Sequence, residues 1–260
     1  MPALPERVVA HVLRGPTFAG YRIALLGDLH IAPWRSTRAL AGAVDTINAW
    51  RPDLVALIGD YGYSVRQVPA LSRALYRNVM PRVSTEFARL QARDGAYAVL
   101  GNHDVEGGAD VVTTSLESAG IRVLRDTSHD VMRNYAVLRV LGVDDQTTTL
   151  ARLHAVSSRT STSLELLLLL SHHPDFALAC DSLSQELPLL ILAGHTHGGQ
   201  VVLPWIGAPI TLSRAATHRF PAGFVPNEHG TLYVNRGLGE QVPLRVGAAR
   251  EITFLELALR

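Results

Sequence analysis

The feature that most constrains this chain is a short apolar run that ends, five times over, in a polar cluster of Asp, Asn or His. Tyr21 to Leu26 leads into Gly27-Asp28-Leu29-His30, Asp53 to Ile58 into Gly59-Asp60, and Ala96 to Leu100 into Gly101-Asn102-His103-Asp104. Leu166 to Leu170 leads into Ser171-His172-His173-Pro174, and Leu189 to Ala193 into Gly194-His195-Thr196-His197. Apolar runs of about 4–8 residues bounded by turn residues predict buried strands. Helical spacing falls between and after them, over Ser36 to Trp50, Val83 to Arg93, Ala109 to Ala119 and Phe176 to Ser182. Strands alternating with helices predict an α/β fold. Beyond Gln200, the stretches Val201 to Leu203, Leu232 to Asn235 and Ile252 to Leu257 read as strands in a more antiparallel tail. No repeat or linker divides residues 1–260, so a single domain is expected. Ligands of open α/β sheets sit outside the carboxyl ends of strands. With the strands side by side, the five clusters converge on one edge.

Composition narrows the function. The chain is 47% hydrophobic and carries a formal net charge of +1, so it can build a large core but presents no strong overall field to nucleic acid or membrane. Nucleic acid is therefore not an expected partner, and nothing implies a partner protein. All 24 basic residues are Arg, a bias that base composition accounts for. The lone Cys180 excludes an internal disulfide and a Cys-rich zinc site, and reads as a small buried hydrophobe. The longest Leu run, Leu166 to Leu170, falls far short of the ~20 apolar residues of a membrane span. The first twenty residues lack the layout of a secretory signal. A cytoplasmic protein is expected, with peripheral contact at the inner face of the membrane left open.

Residue types then point to chemistry. Asp28, His30, Asp60, Asn102, His172, His195 and His197 all follow apolar runs, and carboxylate and imidazole suit divalent Mn, Fe, Zn or Co better than Mg or Ca. Mn is the favoured ion. At a strand end, the i, i+2 spacing of Asp28 and His30, and of His195 and His197, directs each pair to one side. Seven donors exceed what one zinc-type site takes and suit two adjacent divalent ions, with Asp60 the natural bridge. Two metals about 3.5–4 Å apart clamp an in-line displacement at phosphorus and generate hydroxide near neutral pH. His103 is placed to protonate the leaving oxygen, and Asp104 to orient it.

These blocks, in this order, resemble the calcineurin-like metallophosphoesterases, whose pattern runs D-x-H, GD, GNH(D/E), a lone His, then GHxH. The downstream text Gly198-Gly199-Gln200, Leu203-Pro204 and Tyr233 to Gly239 resembles the bacterial YaeI/YkuE-type phosphodiesterase branch. The resemblance implies a β-sandwich core flanked by helices, with a dinuclear metal site at strand carboxyl ends. It implies Asp28, His30, Asp60 and His197 on one ion, and Asp60, Asn102, His172 and His195 on the other. Asn102 and His103 would also meet the substrate. The expected activity is phosphodiester hydrolysis by direct attack of metal-activated hydroxide on a small-molecule or lipid-linked substrate. The alternatives are a phosphomonoesterase acting on nucleotides or phosphoproteins, and a non-catalytic metal-binding scaffold.

Other residues carry two readings each. His173 is either a substrate-side neighbour or a plain loop histidine. Trp34 is either pocket lining or core. Arg236 meets a substrate phosphate or a structural carboxylate. The Pro204 to Pro226 loop, with Trp205, Ile206, Phe220 and Phe224, is a lipid-facing or substrate lid or a packed connection. His11, His129, His154, His218 and His229 read as surface or loop residues. Val105-Glu106-Gly107-Gly108 follows the GNHD block where an aromatic residue is expected, which bears on the substrate pocket.

Overall fold

A computed structural model of the chain describes residues 4–65, 67–144, 163–180, 188–217, 219–225, 230–240 and 242–260. Chain order runs β1 (Leu4–Leu13), β2 (Arg22–Leu26), α1 (Arg38–Trp50), β3 (Leu54–Leu57), α2 (Pro69–Phe87), β4 (Ala96–Ala98), α3 (Asn102–Ser118) and β5 (Arg122–Val123). It continues through β6 (Thr127–Arg133), β7 (Ala136–Gly142), β8 (Leu164–Leu170), β9 (Leu189–Ala193), β10 (Gly223–Val225), β11 (Thr231–Val234) and β12 (Glu251–Leu259). Among the described residues, the strands form two six-stranded sheets, ordered β1-β12-β2-β3-β4-β5 and β10-β11-β9-β8-β7-β6.

Strand alternation builds the layers. Ile23 and Leu25 of β2 face a central core with Leu166, Leu168 and Leu170 of β8, while Ala24 and Leu26 face away. This central layer joins the inner faces of both sheets into a sandwich. The outer face of the first sheet is covered by helices. Leu40, Ala43, Val44 and Ile47 give α1 its buried stripe at helical spacing, and Tyr76, Val79, Met80 and Val83 give one to α2. The outer face of the second sheet, with Leu167 and Leu169, packs instead against Ala177, Cys180 and Ala216 from loops and a short 3-10 turn.

Several sequence expectations change. The five ligand-bearing strands do not lie side by side. β2, β3 and β4 are neighbours in one sheet, β8 and β9 in the other, so the clusters meet across the sandwich. α2 begins at Pro69 rather than Val83, because Pro69 opens the helix and Pro81 lies on its exposed face, where water can satisfy the carbonyl it leaves unbonded. α3 begins at Asn102 rather than Ala109, with a kink at Gly108 (φ 109°). The expected helix from Phe176 is a 3-10 turn over Pro174–Ala179, and residues 181–182 lie outside the described residues. Val201 and Leu203 make isolated bridges only. The tail is mixed: β12 runs antiparallel to β2 and parallel to β1, and β11 antiparallel to β10 and parallel to β9. β1 and the β6–β7 hairpin are additions that the apolar-run reading missed.

Candidate metal centre

Each candidate ligand lies just past the carboxyl end of a strand: Asp28 and His30 after β2, Asp60 after β3, Asn102 after β4, His172 after β8, His195 and His197 after β9. Backbone bonds zip two of these loops together. Asp28 N–H donates to Gly59 O (2.9 Å), and Leu29 and His30 N–H both donate to Asp60 O (2.8 and 3.0 Å). Gly194 N–H donates to His172 O (3.0 Å) on the second sheet.

The pairs do not converge by strand alternation. Asp28, His30, Asp60, His195 and His197 all adopt left-handed backbone, with φ of 50°, 43°, 59°, 68° and 51°. Left-handed conformation costs about 1–2 kcal/mol per non-glycine residue, and Asp and His are among the residues that tolerate it. Tight turns, not extended backbone, therefore aim these side chains. Their close approach also needs bare neighbours. A Cβ on Gly101 would stand 2.1 Å from Asp60 Oδ1, and one on Gly194 would stand 2.5 Å from Asp28 Oδ2.

The side chains form three overlapping triads: Asp28, His30 and His197; His30, Asp60 and His103; Asp60, His172 and His195. Within each, one ligand atom per residue lies within 4.8 Å of the others. Asp60 Oδ2 is 3.2 Å from His172 Nε2 and 3.6 Å from His30 Nε2. His30 Nε2 and His197 Nε2 face each other at 3.0 Å, as do His195 Nδ1 and His172 Nε2 at 3.2 Å. Asn102 Oδ1 is buried without a hydrogen-bond partner among the described residues.

Burial sets the charge of this cluster. It holds His30 and His197 below the usual imidazole range, with Arg245 adding to the effect on His197. It lowers His195 to about 2, reinforced by His172 and His173. Burial opposes ionisation of Asp60, but His172, His30 and His103 together hold its carboxyl well below the usual range. The result is an ionised Asp60 carboxylate beside His30, His195 and His197 imidazoles that burial holds neutral, the protonation states that metal ligation needs.

Two expectations about the catalytic block divide. His103 Nε2 lies 4.0 Å from Asp60 Oδ2, at the edge of the cluster. Asp104, however, does not orient it. Asp104 Oδ2 accepts from the N–H of Asp60 (2.7 Å) and Gly101 (2.9 Å), and Oδ1 from Tyr61 N–H and the Tyr76 hydroxyl (3.0 Å each). Four donors fill the roughly four lone-pair sites of a carboxylate. Burial and the Asp60 charge push Asp104 up to about 7, against these donors. His103 Nδ1 meets Ser64 Oγ instead, and Ser64 donates to Glu106 Oε2 (2.7 Å). Ser64 was not among the sequence candidates. Its only signal is its place in the Tyr61 to Ser64 turn after Asp60.

The remaining candidates resolve individually. His173 stacks against His195, ring centroids 3.5 Å apart. Trp34 is exposed and meets Tyr63 edge-on, so it is not core. Arg236 donates to the buried Glu251 carboxylate at 2.7 Å. Cys180 is buried. His11 donates to or accepts from no site residue but meets Leu259 O, and His129 lies beside Tyr97. His154, His218 and His229 lie outside the described residues. Arg245, also missed, threads its guanidinium among the carbonyls of Arg236 and Gly239 and reaches His197 Nδ1 at 3.3 Å. Among the described residues, no helix is long and apolar enough to cross a membrane.

Comparison with known proteins adds a lineage to this geometry. The calcineurin-like phosphoesterase family model matches residues 21–199. The uncharacterized metallophosphoesterase YkuE of Bacillus subtilis is 30% identical over 251 residues, covering 92% of this chain and 80% of that one. Phosphodiesterase YaeI of Escherichia coli is 27% identical over 242 residues, covering 92% and 83%. A Danio rerio transmembrane protein with a metallophosphoesterase domain is 29% identical over 256 residues, and the chain spans 53% of its length. Among solved structures, the sulfate thiohydrolase SoxB from Thermus thermophilus superposes with a TM-score of 0.51 at 14% identity, over 94% of this chain and 57% of that one. That likeness shows a shared fold.

Proposed function

This chain belongs to the calcineurin-like phosphoesterase family, and we propose that it is a metal-dependent phosphodiesterase centred on Asp60. The observation that carries the reading is that Asp60 Oδ2 faces both halves of the cluster, 3.2 Å from His172 and 3.6 Å from His30. In this reading Asp28, His30, Asp60 and His197 hold one divalent ion, and Asp60, Asn102, His172 and His195 hold a second, with Mn²⁺ the favoured ion. The residues fit such a pair: neutral imidazoles, an ionised shared carboxylate and an amide oxygen with no other partner. Two divalent ions there would lower the pKa of water and offset the charge of the phosphoryl oxygens.

The chain's own side chains supply the rest. Water displaces the leaving oxygen in line at phosphorus, with no covalent enzyme intermediate. Ser64 commits its only proton to Glu106, so its oxygen accepts from His103 Nδ1–H. That leaves His103 Nε2 as the ring nitrogen facing the cluster; in the imidazolium form it carries the second ring proton and passes it to the leaving oxygen, returning to the neutral Nδ1–H ring. Asp104 acts one step removed, by holding the Asp60 and Gly101 turns in register.

The diester preference is supported by the similarity to YaeI over most of the chain. The test is hydrolysis of an activated aryl phosphodiester by chelator-stripped protein, with Mn²⁺ titrated back and the matching monoester in parallel. Metal-restored diester turnover well above monoester turnover is expected. Faster monoester turnover would make the protein a phosphomonoesterase, and bound metal without turnover of either would leave a scaffold. A cytoplasmic location belongs to the same proposal and is checked by cell fractionation.

A further inference from the structure

The loop after the GHxH block carries large apolar side chains into solvent. Trp205 is fully exposed, and Ile206, Ile210 and Leu212 are each more than 60% exposed. A second segment adds Val242, Leu244 and Val246, all exposed. The two segments form one face, because their backbones are bonded. Val202 N–H donates to Val246 O (2.7 Å), Val246 N–H donates to Gln200 O (2.8 Å), and the Gln200 amide donates to Val242 and Leu244 O. The face adjoins the candidate centre. Ala208 packs onto Gly199, where an added Cβ would stand 2.3 Å away, and Arg245 of the second segment reaches His197. An apolar patch of this kind on a folded chain marks an interaction surface.

Charge identifies the partner. No Asp or Glu occurs between Glu186 and Glu228, while Arg214 and Arg219 in this stretch are exposed. Arg219 shares a cleft with Leu203, Trp205 and Ile206. Trp at the level of lipid headgroups, aliphatic side chains beneath it and Arg beside it suit an anionic bilayer surface. The acidic groups that reach these segments are already engaged: Asp175 accepts from the Ser213 hydroxyl and the Arg214 and Ala215 N–H groups, and Glu240 pairs with Arg245 and Arg250.

We propose that the face formed by residues 203–212 and 242–246 docks onto anionic membrane, so that the centre beside it acts on a phosphoester carried by the bilayer. The docking itself is independent of the phosphodiesterase reading; the bilayer-borne substrate rests on it.

The test is co-sedimentation of the full chain with vesicles of phosphatidylcholine alone and with phosphatidylglycerol added. Binding to the anionic vesicles is expected, weakening with salt, and at least about tenfold tighter than to the neutral ones. The double variant Trp205→Ser/Ile206→Ser should lose that binding at least tenfold while keeping its circular dichroism spectrum and its turnover of a soluble aryl diester. Arg219→Gln should lower binding to anionic vesicles only. Wild-type protein that binds neither vesicle, or a double variant that binds as well as wild type, overturns the proposal. So does a concentration-dependent dimer that the double variant abolishes, since a second copy would then cover the face. Vesicle binding without turnover of any ester keeps the docking surface and removes the phosphodiesterase reading.

Discussion

Replacing Asp104 separates a structural carboxylate from a catalytic one. Its two oxygens accept from three backbone N–H groups and the Tyr76 hydroxyl, all buried. In Asp104→Ala the N–H groups of Asp60, Tyr61 and Gly101 lose that partner, whereas Tyr76 keeps Gly62 O at 3.0 Å. At about 1–3 kcal/mol for each stranded buried donor, the loss is about 3–9 kcal/mol, a large part of the ~5–15 kcal/mol that holds a typical domain folded. Asp104→Asn should cost less. Its amide oxygen can serve Asp60 and Gly101, and its NH₂ can donate to the Tyr76 hydroxyl, which leaves Tyr61 N–H alone without an acceptor, at about 1–3 kcal/mol. Urea unfolding of chelated protein measures the difference. With a slope near ~3 kcal/mol/M, the Asn variant should lose up to about 1 M in midpoint, and the Ala variant more, or fail to fold. An Ala variant with the wild-type midpoint and no turnover would refute the reasoning and return Asp104 to the chemistry.

Asp60→Asn should bind less metal and lose turnover while still folding; full turnover in a metal-loaded Asp60→Asn protein would remove its shared role. His103→Ala should lower turnover about 10²–10⁴-fold with metal content unchanged, as read by elemental analysis, and loss of metal would make it a ligand instead. Glu106→Gln should lower turnover about tenfold with little change in KM, because it acts through Ser64 on His103 rather than on substrate. A rise in KM alone would place Glu106 against the substrate. Chelated protein should lose stability on acidification below about pH 6.5. Burial keeps His30, His195 and His197 neutral in the fold, so the unfolded chain takes up more protons there, while Asp104, pushed up to about 7, acts in the opposite direction by one proton. The net of two protons gives a slope of up to about 2.7 kcal/mol per pH unit, seen as falling urea midpoints; midpoints that rise from pH 7 to 5 would contradict it.

Strands buried on both faces announce themselves as continuous apolar runs, and β2, β3, β8 and β9 were legible for that reason. β9 matches its expected bounds, Leu189 to Ala193, and β2 differs by one residue. β1 and β6 were not legible, because each has exposed polar residues along one face and closes the edge of a sheet rather than its middle. α2 was placed too late, at Val83 rather than Pro69, since Pro81 interrupts the local helical pattern while the helix itself runs through it. The assignment of strands to two sheets is a long-range fact that no local run records.

The residue types of the site were legible because carboxylate, imidazole and amide follow so many strand ends; their aim was not. Period-two alternation in extended backbone would point Asp28 with His30, and His195 with His197, yet four of these four residues are left-handed. Such backbone is held only where its surroundings over-determine it, and here they do. Asp28 is pinned through its own N–H to Gly59 O, through its carbonyl by Gly239 N–H at 2.7 Å, and through its carboxylate by His195 N–H at 3.1 Å. Asp60 is pinned by Asp104 from below and by His103 N–H at 3.0 Å from the side. The same hydrogen bonds that fix the strain thus tie one sheet's ligands to the other's. A substitution that relaxes one turn should loosen ligands on both sheets together, which is why Asp104, with no place in the cluster, is the residue whose loss should reach it most widely.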